Sequence, residues 1–303
     1  MPDQQPTPGR LLLVTLGAFL LCFLLGSALV TLVFTSAGVD ILGIQAGTAE
    51  APDRTALRLG LLLNNLFLFA GTALVAFGVV YRGRWAAAAG LTQRPRPGFV
   101  TPAVVLALLS LPVVGYAAYL NLRVDLPAWA ERGEASTNAL LEYVLRMDDL
   151  GELALSLLTI AVVAGVGEEL LLRGVVQRRI LGPWLGHHGA IWLAAGLFSA
   201  MHFEFAGFLP RLLLGAVLGY AYYWTNSLWV PILLHVVFNG VQVVVTYVTE
   251  DFVPDTEISD VPPWYLALLA LGLALWLGYR TERRLSPSPS SGAAPSPPGS
   301  PGT

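Results

Sequence analysis

The sequence contains no lysine, so all 17 of its basic side chains are arginines. It has a single cysteine, Cys22, which excludes an intrachain disulfide. Lying in the first apolar run, Cys22 is expected to be a small lipid-facing residue. Charge is scarce: 12% of the 303 residues are Asp, Glu, Lys or Arg, against about 25% in an ordinary soluble domain. The net charge is −3, with no positive excess to neutralise phosphates, which argues against a nucleic-acid partner. No internal repeat is visible, so an inverted-repeat transporter is not supported. What remains is apolar: 55% of residues are hydrophobic and the mean hydropathy is +0.66. These values describe a polytopic membrane protein, all-α, with membrane lipid as its surroundings.

A span needs about 20 apolar residues. Eight are expected, at about 11–36, 57–81, 101–121, 152–180, 189–206, 210–226, 228–249 and 263–280. The first, Leu11 to Ser36, is longer than the ~7–15-residue apolar region of a cleavable signal peptide and reads as a retained span. The segment Thr137 to Met147 is weakly amphipathic and reads as a surface helix leading into the fourth span.

Arginines mark one side of the membrane. Arg82, Arg84, Arg94 and Arg96 follow span two, Arg178 and Arg179 end span four, and Arg280, Arg283 and Arg284 follow span eight. By the positive-inside rule that side is cytoplasmic and holds both termini. The opposite loops collect acids, among them Asp53, Glu134, Asp148 and Asp149. The tail from Ser286 to Thr303 is almost entirely Ser, Pro, Gly and Ala, a composition expected to be disordered.

Against this background the stretch VAGVGEELLLRGV, Val163 to Val175, stands out. An ionised group near a bilayer centre costs roughly 2.5–3.5 kcal/mol on insertion scales. Residues four apart share a helix face, so Glu169 can pair with Arg173 along its own helix. Glu168 points about 100° away and must find its partner on another span. Two further spans carry polar patches: Phe198 with His202, and His235 with Asn239. His187 and His188, in PWLGHHG, read as a solvated turn between spans four and five. These limits place His202 farther from the cytoplasmic side than His235.

A carboxylate hydrogen-bonded to an imidazole can deprotonate water, and an imidazole with an amide N–H can stabilise an oxyanion. Together these are the minimum for hydrolysing a peptide bond. Glu168, His202 and His235 are equally a catalytic zinc set with one open position, and residue types alone do not separate the two.

Three motifs occur in order: Gly165, Glu168, Glu169, Arg173 and Gly174 as G-x-x-E-E-x-x-x-R-G; Phe198 and His202 as F-x-x-x-H; His235 and Asn239 as H-x-x-x-N. They resemble the CPBP family, the type II CAAX prenyl endopeptidases and the bacteriocin-processing or abortive-infection proteins. The resemblance covers about residues 152–248 and implies an intramembrane endopeptidase with an eight-span core. By carry-over, Glu168 activates the water with help from His202, His235 and Asn239 hold the oxyanion, and Glu169 and Arg173 support the site. Either no cofactor, the preferred reading, or zinc on Glu168, His202 and His235 is consistent with the family. The expected layout is an N-terminal membrane region at 1–151, the family-like core at 152–248, a loop and last span at 249–285, and the tail at 286–303. An all-arginine, Ala/Leu/Gly-rich composition suggests a bacterial inner membrane, where the substrate would be a membrane-associated peptide or protein other than a prenylated one. The family also contains immunity and scaffold proteins, which leaves a non-catalytic interaction role as the alternative.

Overall fold

The computed structural model describes residues 6–45, 52–250 and 261–285. The expectation of a disordered tail at 286–303 lies outside the described residues. The described residues form an all-α polytopic bundle. Nine helices build it: α1 Pro8–Ala37, α2 54–81, α3 Pro97–Asn121, α4 Ala128–Leu145, α5 150–181, α6 Gly182–Ala200, α7 Phe208–Thr225, α8 Trp229–Thr249 and α9 Trp264–Leu285.

Local chemistry sets the helix ends. The Thr7 side chain accepts from the Arg10 N–H at the start of α1, where Pro8 takes a first-turn position at which no backbone donor is lost. Asp53 caps α2 by accepting from Ala56 N–H, and Asp149 caps α5 by accepting from Gly151 and Glu152 N–H. Within a bilayer the face of each outer helix is chosen by size and polarity rather than by hydropathy. Accordingly α1 turns Leu13, Leu20 and Leu24 outward and Thr15, Ala18 and Cys22 inward. Cys22 is therefore not lipid-facing as expected; its thiol packs where α1 meets Gly71 of α2.

Among the described residues, six helical stretches are long and apolar enough to cross a membrane, with 150–200 counted as one of 51 residues. At 1.5 Å per residue that stretch would be about 75 Å long, far beyond a ~30 Å hydrocarbon core. It is broken at Gly186 (φ 68°, ψ 180°), inside α6, a backbone conformation that glycine tolerates, so the stretch before it and the stretch after it are two separate helical pieces. Helix α7 lies below the apolarity threshold of a span but packs tightly on α3 and α6. The eight expected spans thus correspond in position to α1–α3 and α5–α9. The expected fifth span ends early: α6 stops at Ala200 and residues 201–207 form a turn. The surface helix expected at Thr137–Met147 begins much sooner, after Pro127.

The arginine-bearing ends meet on one face. Arg179 Nε donates to Ala88 O (2.9 Å), Tyr222 Oη to Ala89 O (2.9 Å) and Arg178 to Tyr222 Oη (2.8 Å). At the other end a charge cluster joins α2 to α5. Arg58 is fully buried, donates to Val144 O and Ser156 Oγ (both 3.0 Å) and to Arg146 O, and faces Glu152 Oε1 at 3.0 Å. Arg54 bridges Asp148 and Glu152 beside it. Its guanidinium, hydrogen-bonded to Asp148, holds that carboxyl below the usual range.

Arg58→Leu removes the donor to Arg146 O and leaves Val144 O only the long Ser156 hydroxyl bond, while Glu152 keeps Arg54. It should cost about 1–3 kcal/mol, read as a lowered unfolding midpoint in detergent; an unchanged midpoint would contradict this role.

Candidate active site

Helix α5 alternates between two windings. Residues Leu157–Val163 and Leu170–Leu181 widen into π-helical turns, and Ala164–Glu169 between them is α-helical. Such widenings are rare and concentrate at functional sites. Both carboxylates sit at the end of the central α-helical piece, which is gripped from two sides. A Cβ on Gly165 would lie 3.1 Å from the Val236 side chain of α8, and one on Gly167 would lie 3.1 Å from Ala70 N of α2. The absent side chains let both neighbours approach closely enough for polar groups to meet across the helices.

Glu168, Glu169, Arg173 and His235 are all buried. Arg173 NH1 lies 2.9 Å from Glu169 Oε1, the pair expected from the four-residue spacing. Its NH2 donates to Gly215 O of α7 (2.9 Å). His235 Nδ1 lies 2.9 Å from the same Glu169 oxygen, and its Nε2 lies 3.7 Å from Glu168 Oε2. One imidazole therefore stands between the two carboxylates. Nδ1 faces the Glu169 oxygen that Arg173 also approaches, and Nε2 turns toward Glu168. Glu168 thus finds its partner on another span, as its position on α5 requires.

Phe198 ties the remaining groups together. Its ring stands edge-on to His235 (5.8 Å, 88°) and to His202 (5.0 Å, 80°), and the Arg173 guanidinium carbon is 5.1 Å from its centre. Both histidines thus touch one ring. His202 Nδ1 lies 2.8 Å from Phe198 O. A carbonyl only accepts, so Nδ1 is the donor to Phe198 O. Among the described residues no hydrogen bond joins His202 to Glu168 directly. Asn239 is half-buried and donates one N–H to Ile160 O on α5 (3.0 Å), which leaves its second N–H.

Zinc ligands must converge. Among the described residues, Glu168, His202 and His235 do not bring three ligand atoms within 4.8 Å of one another.

Sequence reasoning missed the groups that hold the His202 turn. Glu134 of α4, 5% exposed, accepts from Ala206 N–H (2.6 Å). Asn121 of α3 donates to Phe205 O (2.7 Å) and accepts from Leu209 N–H (2.8 Å). Trp129 of α4 packs edge-on to Phe205 at 5.4 Å. The available signal was a buried-type Asn at the end of a span and a lone acid inside an amphipathic helix. His187 and His188 lie apart from this site, in α6 on the arginine-bearing face. They are exposed, but they are helical and packed on α7, not a solvated turn.

Part of the chain is similar to known proteins. Residues 150–241 match the family model described as type II CAAX prenyl endopeptidase Rce1-like. This segment is similar to that family. It includes α5–α7, His202, His235 and Asn239. A curated relative, the uncharacterized protein YpbD of Bacillus subtilis, is 32% identical over 78 residues. That alignment covers 24% of this chain and 36% of YpbD, so the chain spans about a third of its relative's length. No solved structure matches.

Removing Glu169 would leave Arg173 buried and unpaired in a low-dielectric core. Glu169→Ala should therefore lose about 3–5 kcal/mol in thermal unfolding, whereas Glu168→Gln should stay near wild type. Equal midpoints for Glu169→Ala and wild type would contradict the division of roles.

Proposed function

We infer that this integral membrane protein is an intramembrane endopeptidase that hydrolyses peptide bonds of membrane-associated peptides or proteins. One observation carries the reading. A buried carboxylate, Glu168, faces an imidazole held from behind by a second carboxylate and an arginine. A purely structural ion pair needs Glu169 and Arg173 only; Glu168 and His235 exceed that need.

In the proposed reaction, water sits between Glu168 and His202. Glu168 takes a proton from it, and His202 Nε2 accepts a hydrogen bond from its other O–H. The water oxygen attacks the peptide carbonyl and the π electrons move to the carbonyl oxygen. The second N–H of Asn239 and, in its protonated form, His235 Nε2–H donate to that oxyanion. The carboxylates on either side of His235 favour a positive charge on that imidazole. Collapse of the intermediate breaks the C–N bond, and the proton held by Glu168 passes to the leaving amine. Glu169 and Arg173 fix the orientation of His235 and take no proton. Zinc on Glu168, His202 and His235 is the alternative to this scheme. Those three side chains are not gathered as a ligand set, so the proposal rests on Glu168 and water.

The arginine-bearing ends of α2, α5 and α9 give the proposed orientation, with both termini cytoplasmic in the inner membrane of a bacterium. Substrate peptides would enter from the surrounding lipid or its surface.

The test compares membrane peptidomes of cells expressing wild type or Glu168→Gln at equal, verified levels. General acid–base groups contribute about 10²–10⁴-fold, so products specific to wild type should fall by at least about a hundredfold. Identical peptidomes would remove Glu168 from any chemistry and favour a non-catalytic interaction protein.

A further inference from the structure

The catalytic reading leaves the arginine-bearing end of the bundle unexplained. There the break at Gly186 delivers two adjacent histidines to one spot. Consecutive residues of a regular helix point about 100° apart. Here the rings of His187 and His188 have centres only 4.1 Å apart. Glu282, on the last turns of α9, completes the group, with its Oε2 4.0 Å from His187 Nε2. The three potential ligand atoms all lie within 4.8 Å of one another.

Each of the three side chains is oriented by an aromatic residue of one short stretch of α7. His188 Nδ1 meets Tyr220 Oη at 2.8 Å. His187 stacks flat on Tyr223, with ring centres 4.3 Å apart and planes 6° apart. Trp224, almost fully buried, donates its Nε1–H to Glu282 Oε1 at 2.6 Å. For His188 and Glu282 this is the kind of outer contact that orients metal-bound imidazoles and carboxylates, a side-chain atom held by a neighbouring polar group; His187 is fixed in plane by its stack on Tyr223. Solvation alone would require none of it.

We propose that His187, His188 and Glu282 form a binding site for a divalent transition-metal ion, separate from the Glu168 site. Two imidazoles and one carboxylate suit zinc-like ions, with solvent in the fourth position. Ligands at about 2.0–2.2 Å from such an ion lie about 3.3 Å apart in tetrahedral geometry, so the group closes slightly on binding. The exposed imidazoles can rotate, and Gly186 and Gly189 flank them. A cavity of about 200 Å³ lies beside the site, lined by Gln177, Arg178, His187, Tyr222 and Tyr223 among others, and gives solvent or a small ligand access to the open position. The bound ion would tie the α5–α6 corner to the end of α9, joining the Rce1-like segment to the last helix.

The test uses the full chain purified in detergent through a tag without histidine, stripped with EDTA and titrated with Co²⁺. The wild type should take up one equivalent, with the visible d–d absorption of a low-coordinate site. His188→Gln and Glu282→Gln should lose that spectrum. Tyr220→Phe should weaken binding about tenfold while keeping it, as loss of an outer contact does. Glu168→Gln, which disables the proposed catalytic site, should bind like wild type. Three results would overturn the proposal: no saturable Co²⁺ uptake by wild type, uptake unchanged in His188→Gln and Glu282→Gln, or uptake lost in Glu168→Gln. Because the readout is metal binding, failure of the proteolytic reading leaves these outcomes unaffected.

Discussion

Placing negative charge inside a helix bundle is tolerable only when each charge is met at short range, and here that condition falls on Glu169. Its Oε1 receives both Arg173 and His235 at 2.9 Å. One oxygen therefore connects α5 to itself and to α8, while Arg173 extends the connection to α7 through Gly215 O. Desolvating such groups costs several kcal/mol per ion, and mutual attraction offsets this only when the geometry is good. The close approaches at Gly165 and Gly167 supply that geometry. The cluster thus fixes the relative positions of three helices and, with them, the imidazole that faces Glu168. The second carboxylate is then held in the site without being needed for its stability.

Around this centre the rest of the bundle positions backbone. Phe198 places one ring against His202, His235 and Arg173, so the two histidines are held by a shared apolar surface. The turn carrying His202 leaves regular helix at Ala200 and would expose its backbone groups. Asn121 and Glu134 meet two of them, from α3 and α4, and Asn121 also accepts from Leu209 N–H in the first turn of α7. Helix α4 therefore covers the turn. The remote Arg58 cluster does the same for the residues between α4 and α5.

Interactions that repeat at helical spacing were legible in the sequence. The Glu169–Arg173 pair, the pairing of Phe198 with His202, and the need of Glu168 for a partner on another helix all follow from the 3.6-residue period. Contacts between distant segments were not. His235 meets Glu169 across 66 positions, and nothing in the local pattern says which of the two carboxylates it touches. Arg58 was hidden in an otherwise apolar run, and its partners are largely backbone carbonyls, which no side-chain motif announces. Cys22 was misplaced because hydropathy does not tell a lipid-facing small residue from one at a helix contact. The histidine pair at 187–188 looked like turn residues because its partners, Tyr220, Tyr223 and Glu282, come from α7 and α9.

The central claim is that Glu169 acts through Arg173 and His235 as one unit. A double-mutant cycle on thermal unfolding, with Glu169→Gln, Arg173→Met and the double variant, tests it most directly. The account predicts a coupling at the upper end of the ~0.5–3 kcal/mol seen for contacting residues, with the double variant more stable than the sum of the single losses implies. Losses that simply add would show that the two charges do not depend on each other, and the account of the site would fail with them.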